Sequence, residues 1–172
     1  MLDTILKNGQ IFDGSGKTPI TTDLGIKDNI ISEIGKIDSD KGKEVIDVDG
    51  LAVSPGFVDM HTHSDFTLMV NGRAESQVHQ GVTTEVVGQC GISCAPANND
   101  KDIKQMAIGV CENSHKLGWR SFKEYLASLE KSKLGVNVAA FVEHGAIDKN
   151  VLGNERRERD NHESVKRCKR VG

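Results

Sequence analysis

The chain has 172 residues, 37 % of them hydrophobic and 27 % charged, with a formal net charge of −3, a composition that provides enough apolar residues for a core. No apolar run approaches the ~20 residues needed to cross a bilayer. The start, Met1-Leu2-Asp3-Thr4-Ile5, lacks the basic and long apolar segments of a secretory signal. Cys90, Cys94, Cys111 and Cys168 include no Cys-x-x-Cys pair, so a disulfide framework is not expected and a cytoplasmic location is.

In chain order, residues 3–12 mix apolar pairs with an Asn8-Gly9 turn signal, and Asp13-Gly14-Ser15-Gly16 is a loop by composition. Leu24–Lys27 and Ile30–Ile34 read as short strands joined through Asp28-Asn29, and Glu44–Gly50 as a further strand ending at a turn. This pattern predicts part of a small β-sandwich over residues 1–52. Ser54-Pro55-Gly56 then makes a turn into an apolar strand, Gly56–Met60. Arg73–Gln80 reads as a short helix stopped by Gly81, and the β-branched run Val82–Val87 as a buried strand. A mostly helical region is expected from about Asp102 to Glu130, with Phe122, Tyr125, Leu126 and Leu129 spaced to face the core. Val136–Val142 is the next strand. Strands alternating with helices predict right-handed parallel βαβ units over residues 53–172, an α/β architecture. The end, Arg156–Glu163, interleaves acids with bases and lacks aromatics, which argues for a solvated helix or tail rather than a nucleic-acid surface.

Chemistry concentrates at strand ends. His61 and His63 are spaced i, i+2 after an apolar strand, so a persisting strand would send both imidazoles to one face as half of a metal site. Cys90 lies between glycines just past the Val82–Val87 strand, where Gly88 and Gly91 would let the backbone turn the sulfur inward. A thiolate beside two imidazoles selects a borderline-soft cation such as zinc. Spacing alone also leaves open a buried structural cysteine. Asp65 either shares the histidine face or caps the next element. His79, His115 and His162 are assigned to exposed or packing roles, and Cys94, Cys111 and Cys168 to structural ones. No nucleophile elbow, phosphate loop or dinucleotide fingerprint is present.

Pro55–His63 resembles the first barrel strand of the amidohydrolase superfamily, and Ala74–Ser93, with its Gln-Cys-Gly, is similar to the N-acyl-D-amino-acid deacylases (D-aminoacylases) within it. Residues 119–126 and 137–142 resemble the same family. The resemblance implies an N-terminal sandwich portion followed by the first three βα units of an incomplete (β/α)₈ TIM barrel, since a full barrel takes roughly 250 residues. It implies zinc, one or two ions in the complete enzyme, held in this chain by His61, His63 and Cys90, and hydrolysis of a small N-acyl-D-amino acid to a carboxylate and a D-amino acid. It also implies that later histidine ligands and the general-base aspartate belong to barrel strands beyond these residues, leaving the 172-residue chain inactive alone. His144 matches a pocket-lining histidine, although Glu143 replaces a glycine and Asp148 stands where arginine is common. Alternatives are a cyclic-amide hydrolase of dihydroorotase or hydantoinase type, which Cys90 speaks against, and a non-catalytic homologue. No membrane or nucleic-acid partner is expected.

Overall fold

A computed structural model describes residues 1–107 and 117–152, and the chain divides into two compact units, Met1–Pro55 and Gly56–Gly172. The first unit is built on one five-stranded mixed sheet. Its strands are β1 (Leu2–Ile11), β2 (Ile20–Lys27), β3 (Ile30–Gly35), β4 (Gly42–Asp47) and β5 (Ala52–Val53), in the order β3-β2-β1-β4, with β5 also on β1. The β2–β3 turn is made by Asp28 and Asn29, both at positive φ (51° and 61°), the backbone that a two-residue hairpin with right-twisted strands requires. Asn8-Gly9 is not a chain reversal. It is a bulge inside one continuous strand: Lys7 and Asn8 face the single residue Asp23 of β2, and Asn8 takes φ +62°. An Asn-Gly pair fits either structure, because both need a left-handed residue.

The bulge is secured by a buried carboxylate. Asp23 accepts from Lys7 Nζ (2.7 Å), the Asn8 amide (3.0 Å) and the Ile37 amide (2.9 Å). These three donors hold its carboxyl at about 2, well below the ordinary 3.8, with the Lys7 hydrogen bond the largest cause. Beneath lies a small core of Leu2, Ile5 and Ile37, while Ile20, Ile30, Ile31 and Ile34 remain exposed. The unit is thus built on a single sheet.

The second unit holds a parallel sheet, β6 (Phe57–Asp59), β7 (Val82–Val87) and β8 (Asn137–Ala140), in that order. Short helices α1 (Thr67–Val70) and α2 (Glu75–Val78) link β6 to β7; α3 (Asp100–Ala107) and α4 (Phe122–Lys131) lie between β7 and β8; α5 (His144–Leu152) follows β8. The start of α4 is fixed by a capping box, with Ser121 Oγ accepting from the Glu124 amide and the Glu124 carboxylate from the Ser121 amide. Tyr125 and Leu129 are buried with Phe66, Ile103 and Trp119, and Phe122 packs against them. Leu126, expected in that core, is 38 % exposed: it falls on the flank of the stripe that Phe122, Tyr125 and Leu129 define at i, i+3 and i+7. Leu117–Arg120 is not helical, which splits the long helical region anticipated there. Cys111, Cys168, His115, His162 and the charged end at 156–163 lie outside the described residues. Among the described residues no helix is long and apolar enough to cross a membrane.

The Asp23 knot yields a pH-dependent expectation. A carboxyl lowered by folding stabilises fully above the ordinary carboxylate range, and that stabilisation is lost as pH falls towards about 2. Asp23→Asn should therefore cost about 2 kcal/mol near neutrality. Urea unfolding of both proteins across a pH series should show the gap closing below about 4.

Candidate metal centre

β6 is shorter than the sequence suggests and ends at Asp59, so His61 and His63 sit on an irregular arm rather than on a persisting strand. The arm is nevertheless held in place along β7. Asp59 Oδ1 accepts from the His61 amide (3.1 Å), and the Thr62 amide donates to Val86 O (3.3 Å). Ser64 Oγ donates to the carboxylate of Glu85, and Asp65 Oδ1 accepts from the Gly88 amide (3.0 Å). The Tyr125 hydroxyl donates to the backbone oxygen of Asp65 (3.3 Å), and burial pushes that phenol far up, so it stays a neutral donor. Asp65 is 2 % exposed and Glu85 0 %. Burial pushes the Asp65 carboxyl up, against the lowering effect of the backbone amides it accepts from. One oxygen of each, Asp65 Oδ2 and Glu85 Oε1, has no hydrogen-bond partner.

At the end of β7 the chain makes a tight reversal. Gln89 and Ile92 bridge one another, the Ile92 amide donates to Gln89 O (2.9 Å), and Cys90 and Gly91 between them have φ of +56° and +78°. Left-handed backbone at both central residues defines a type I′ turn, which normally takes Asn or Gly at the position Cys90 occupies. A β-carbon there costs roughly 1–2 kcal/mol. Gln89 Nε2 donates to Met60 O (3.1 Å), another tie between the turn and the histidine arm.

The two segments bring three ligand atoms together. Donor atoms of His61, His63 and Cys90 all lie within 4.8 Å of one another, and all three residues are exposed. His61 Nε2 is 3.0 Å from Cys90 Sγ, and the two imidazoles meet edge to face with centroids 5.5 Å apart. Two borderline nitrogen donors and one thiol suit zinc, whose sites combine histidine and cysteine in this way. Cys94, by contrast, is buried in the core beside Trp119, as a structural cysteine would be.

His144 is not part of this cluster. It opens α5, with Nδ1 3.4 Å from Asp148 Oδ2, so the aspartate found where arginine is common serves as its helical i, i+4 neighbour. Its neighbour Gly145 packs directly on the carbonyl of Gly91, with no room for a β-carbon, so α5 begins against the Cys90 turn. The Glu143 amide donates to Ser93 Oγ (3.3 Å). Sequence reasoning missed Ser64 and Glu85. The one available signal was a carboxylate standing in an otherwise apolar, β-branched strand.

Parallel βα units with side chains able to hold a metal on the loops beyond β6 and β7 fit a barrel-type hydrolase, and residues 44–170 match the family model described as Amidohydrolase family; the chain belongs to that family. Within it, the similarity is to D-aminoacylases. The D-aminoacylase of Alcaligenes xylosoxydans xylosoxydans is 33 % identical over 145 residues, which is 84 % of this chain and 30 % of that protein. A D-aminoacylase crystal structure superposes with a TM-score of 0.87 at 31 % identity, covering 99 % of this chain and 35 % of that one. N-acyl-D-glutamate deacylase from Bordetella bronchiseptica, complexed with zinc and a phosphonate inhibitor, does so with 0.82 at 28 % identity, covering 94 % and 34 %. The chain therefore spans about a third of the length of these relatives.

Backbone strain at Cys90 can be measured apart from ligation. With a chelator present, Cys90→Gly should be more stable than Cys90→Ala by about 1 kcal/mol, because glycine accepts positive φ without penalty. Denaturant unfolding of the two variants checks this.

Proposed function

We propose that these residues form the first part of the zinc site of an N-acyl-D-amino-acid deacylase, which hydrolyses a linear amide to a carboxylate and a D-amino acid. The observation that carries this reading is the convergence of His61, His63 and Cys90. The three would hold the metal, with Cys90 contributing a thiolate whose charge and softness favour zinc over harder cations. Zinc, when bound, polarises an acyl carbonyl and makes water a stronger acid. The protein's own part is to fix the donors. The turn at Cys90 sets the sulfur, and the hydrogen-bonded arm sets the imidazoles. His144 is assigned to the substrate side of the site, since the residue next to it abuts the Cys90 turn. No residue of the chain is assigned as general base, so residues 1–172 alone are expected to be inactive. Cys90 in its Gln-Cys-Gly turn favours the D-aminoacylase type over the cyclic-amide hydrolases.

Two measurements on the full-length gene product test this. Zinc affinity should fall in Cys90→Ala by more than the roughly 10–100-fold typical of losing a group that only orients a ligand. Unchanged metal content would remove Cys90 from the site. N-acetyl-D-amino acids should be cleaved faster than their L-enantiomers. A preference for L substrates, or activity confined to cyclic amides, would contradict the assignment.

A further inference from the structure

We infer that Asp65 is the positioning residue for the Cys90 ligand: its buried carboxylate takes the Gly88 amide and thereby fixes the turn that carries the thiol relative to the histidine arm. The inference rests on the metal-site reading above. Asp65 looks in sequence like a cap for the helix that follows, but α1 has no side-chain cap at its N-terminus. Instead Asp65 Oδ1 reaches 23 positions along the chain, to the first residue beyond β7. Gly88 is two residues from Cys90, and Asp65 is two residues from His63. One hydrogen bond of 3.0 Å therefore ties the two segments within two residues of a proposed ligand on each side.

The turn is held at three further places: the Gln89 side chain donates to Met60 O, and two glycines make backbone contacts. Gly88 lies against the Phe141 carbonyl and Gly145 against the Gly91 carbonyl, each too close for a β-carbon. Of the two side chains among these restraints, Asp65 is the buried one, whereas the Gln89 bond is exposed. Gly88 and Cys90 both have positive φ, so the turn sits in a sparsely populated conformation that must be imposed by its surroundings. Removing the acceptor would leave the buried Gly88 amide unsatisfied, and the amide would rotate to find another partner. That rotation moves Cys90. A neutral asparagine can supply the same acceptor, which separates hydrogen bonding from charge.

The test uses cobalt(II)-loaded full-length gene product, in which a sulfur-to-cobalt charge-transfer band reports the thiolate directly. Wild type should show the band and Cys90→Ala should lack it. Asp65→Ala should weaken the band and lower cobalt affinity roughly 10–100-fold, while Asp65→Asn keeps the band and loses less than about tenfold. A folded Asp65→Ala with wild-type band and affinity, or a folded Asp65→Asn that lacks the band, overturns the inference while leaving the metal site standing. If Asp65→Ala does not fold, Asp65→Glu decides: it keeps charge and acceptor but is one methylene too long, so it should alter the band, and an unaltered spectrum overturns the inference. A wild-type protein without the band, or one whose band survives Cys90→Ala, overturns the metal reading itself and this inference with it.

Discussion

Where β6 stops at Asp59, the backbone ladder that sets it beside β7 also stops, yet the residues that follow must stay in register with that strand if two imidazoles and a thiol are to meet. One further backbone bond and two side-chain bonds take over the task. The Thr62 amide still finds Val86 O, Ser64 then binds the carboxylate of Glu85, and Asp65 binds the Gly88 amide. Each contact replaces a lost ladder bond with a partner from the neighbouring strand or its end. Burial makes these replacements stiff, because a carboxylate removed from water gives up its protein donors only at a cost of about 1–3 kcal/mol or more. A short strand followed by such an arm allows the chain to depart from sheet geometry while keeping the positional precision that a sheet provides. The Ser64 bond is the one most dependent on burial, since Glu85 lies in the middle of the sheet, fully enclosed.

Parallel strands explain why His61, His63 and Cys90 lie where they do. β6, β7 and β8 all run the same way, so the His61–His63 arm, the Cys90 turn and the start of α5 emerge at one end of the sheet. The packing of Gly145 on Gly91 is a direct consequence: loops from adjacent parallel strands are brought within backbone contact. An antiparallel arrangement would have separated them to opposite ends.

Much of this was legible in the residues. The Asp28-Asn29 hairpin, the β-branched β7 strand and the order of a β unit followed by βα units all follow from local patterns with clear physical meaning, whereas Cys90 was singled out as a ligand by the family resemblance. Other features were not, for reasons that can be stated. Asn8-Gly9 reports a left-handed residue but cannot say whether the chain reverses or bulges, because that depends on the partner strand and on Asp23, which lies 15 residues away. The histidine pair was read from strand periodicity, and the imidazoles do meet, although the strand ends before them; the convergence comes from long-range hydrogen bonds that no local pattern encodes. Leu126 falls just off the buried stripe, a distinction that helical spacing at this resolution of one residue does not make. Asp65 was legible as polar and well placed, but its partner is an amide, and amides carry no sequence signature.

Local propensity and tertiary purpose disagree at three points around the cluster, and the disagreement is informative. A glycine would suit the φ of +56° at position 90 better than cysteine, an apolar residue would suit the interior of β7 better than Glu85, and a shorter or neutral side chain would bury more cheaply than Asp65. Elsewhere many local choices agree with the fold: the capping box begins α4, the Asp-Asn pair makes its hairpin, and valines occupy half of β7, although Ala74 at φ +47° and the buried Asp23 depart from it. Sequences that fold reliably are consistent across these levels, and departures concentrate where something other than folding is being specified. These three departures lie together. Glu85 and Asp65 restrain the histidine arm, Asp65 also restrains the turn, and Cys90 is what the turn presents. Two buried carboxylates and one left-handed cysteine thus form a single device, in which locally unfavourable residues hold three donor atoms within 4.8 Å of one another.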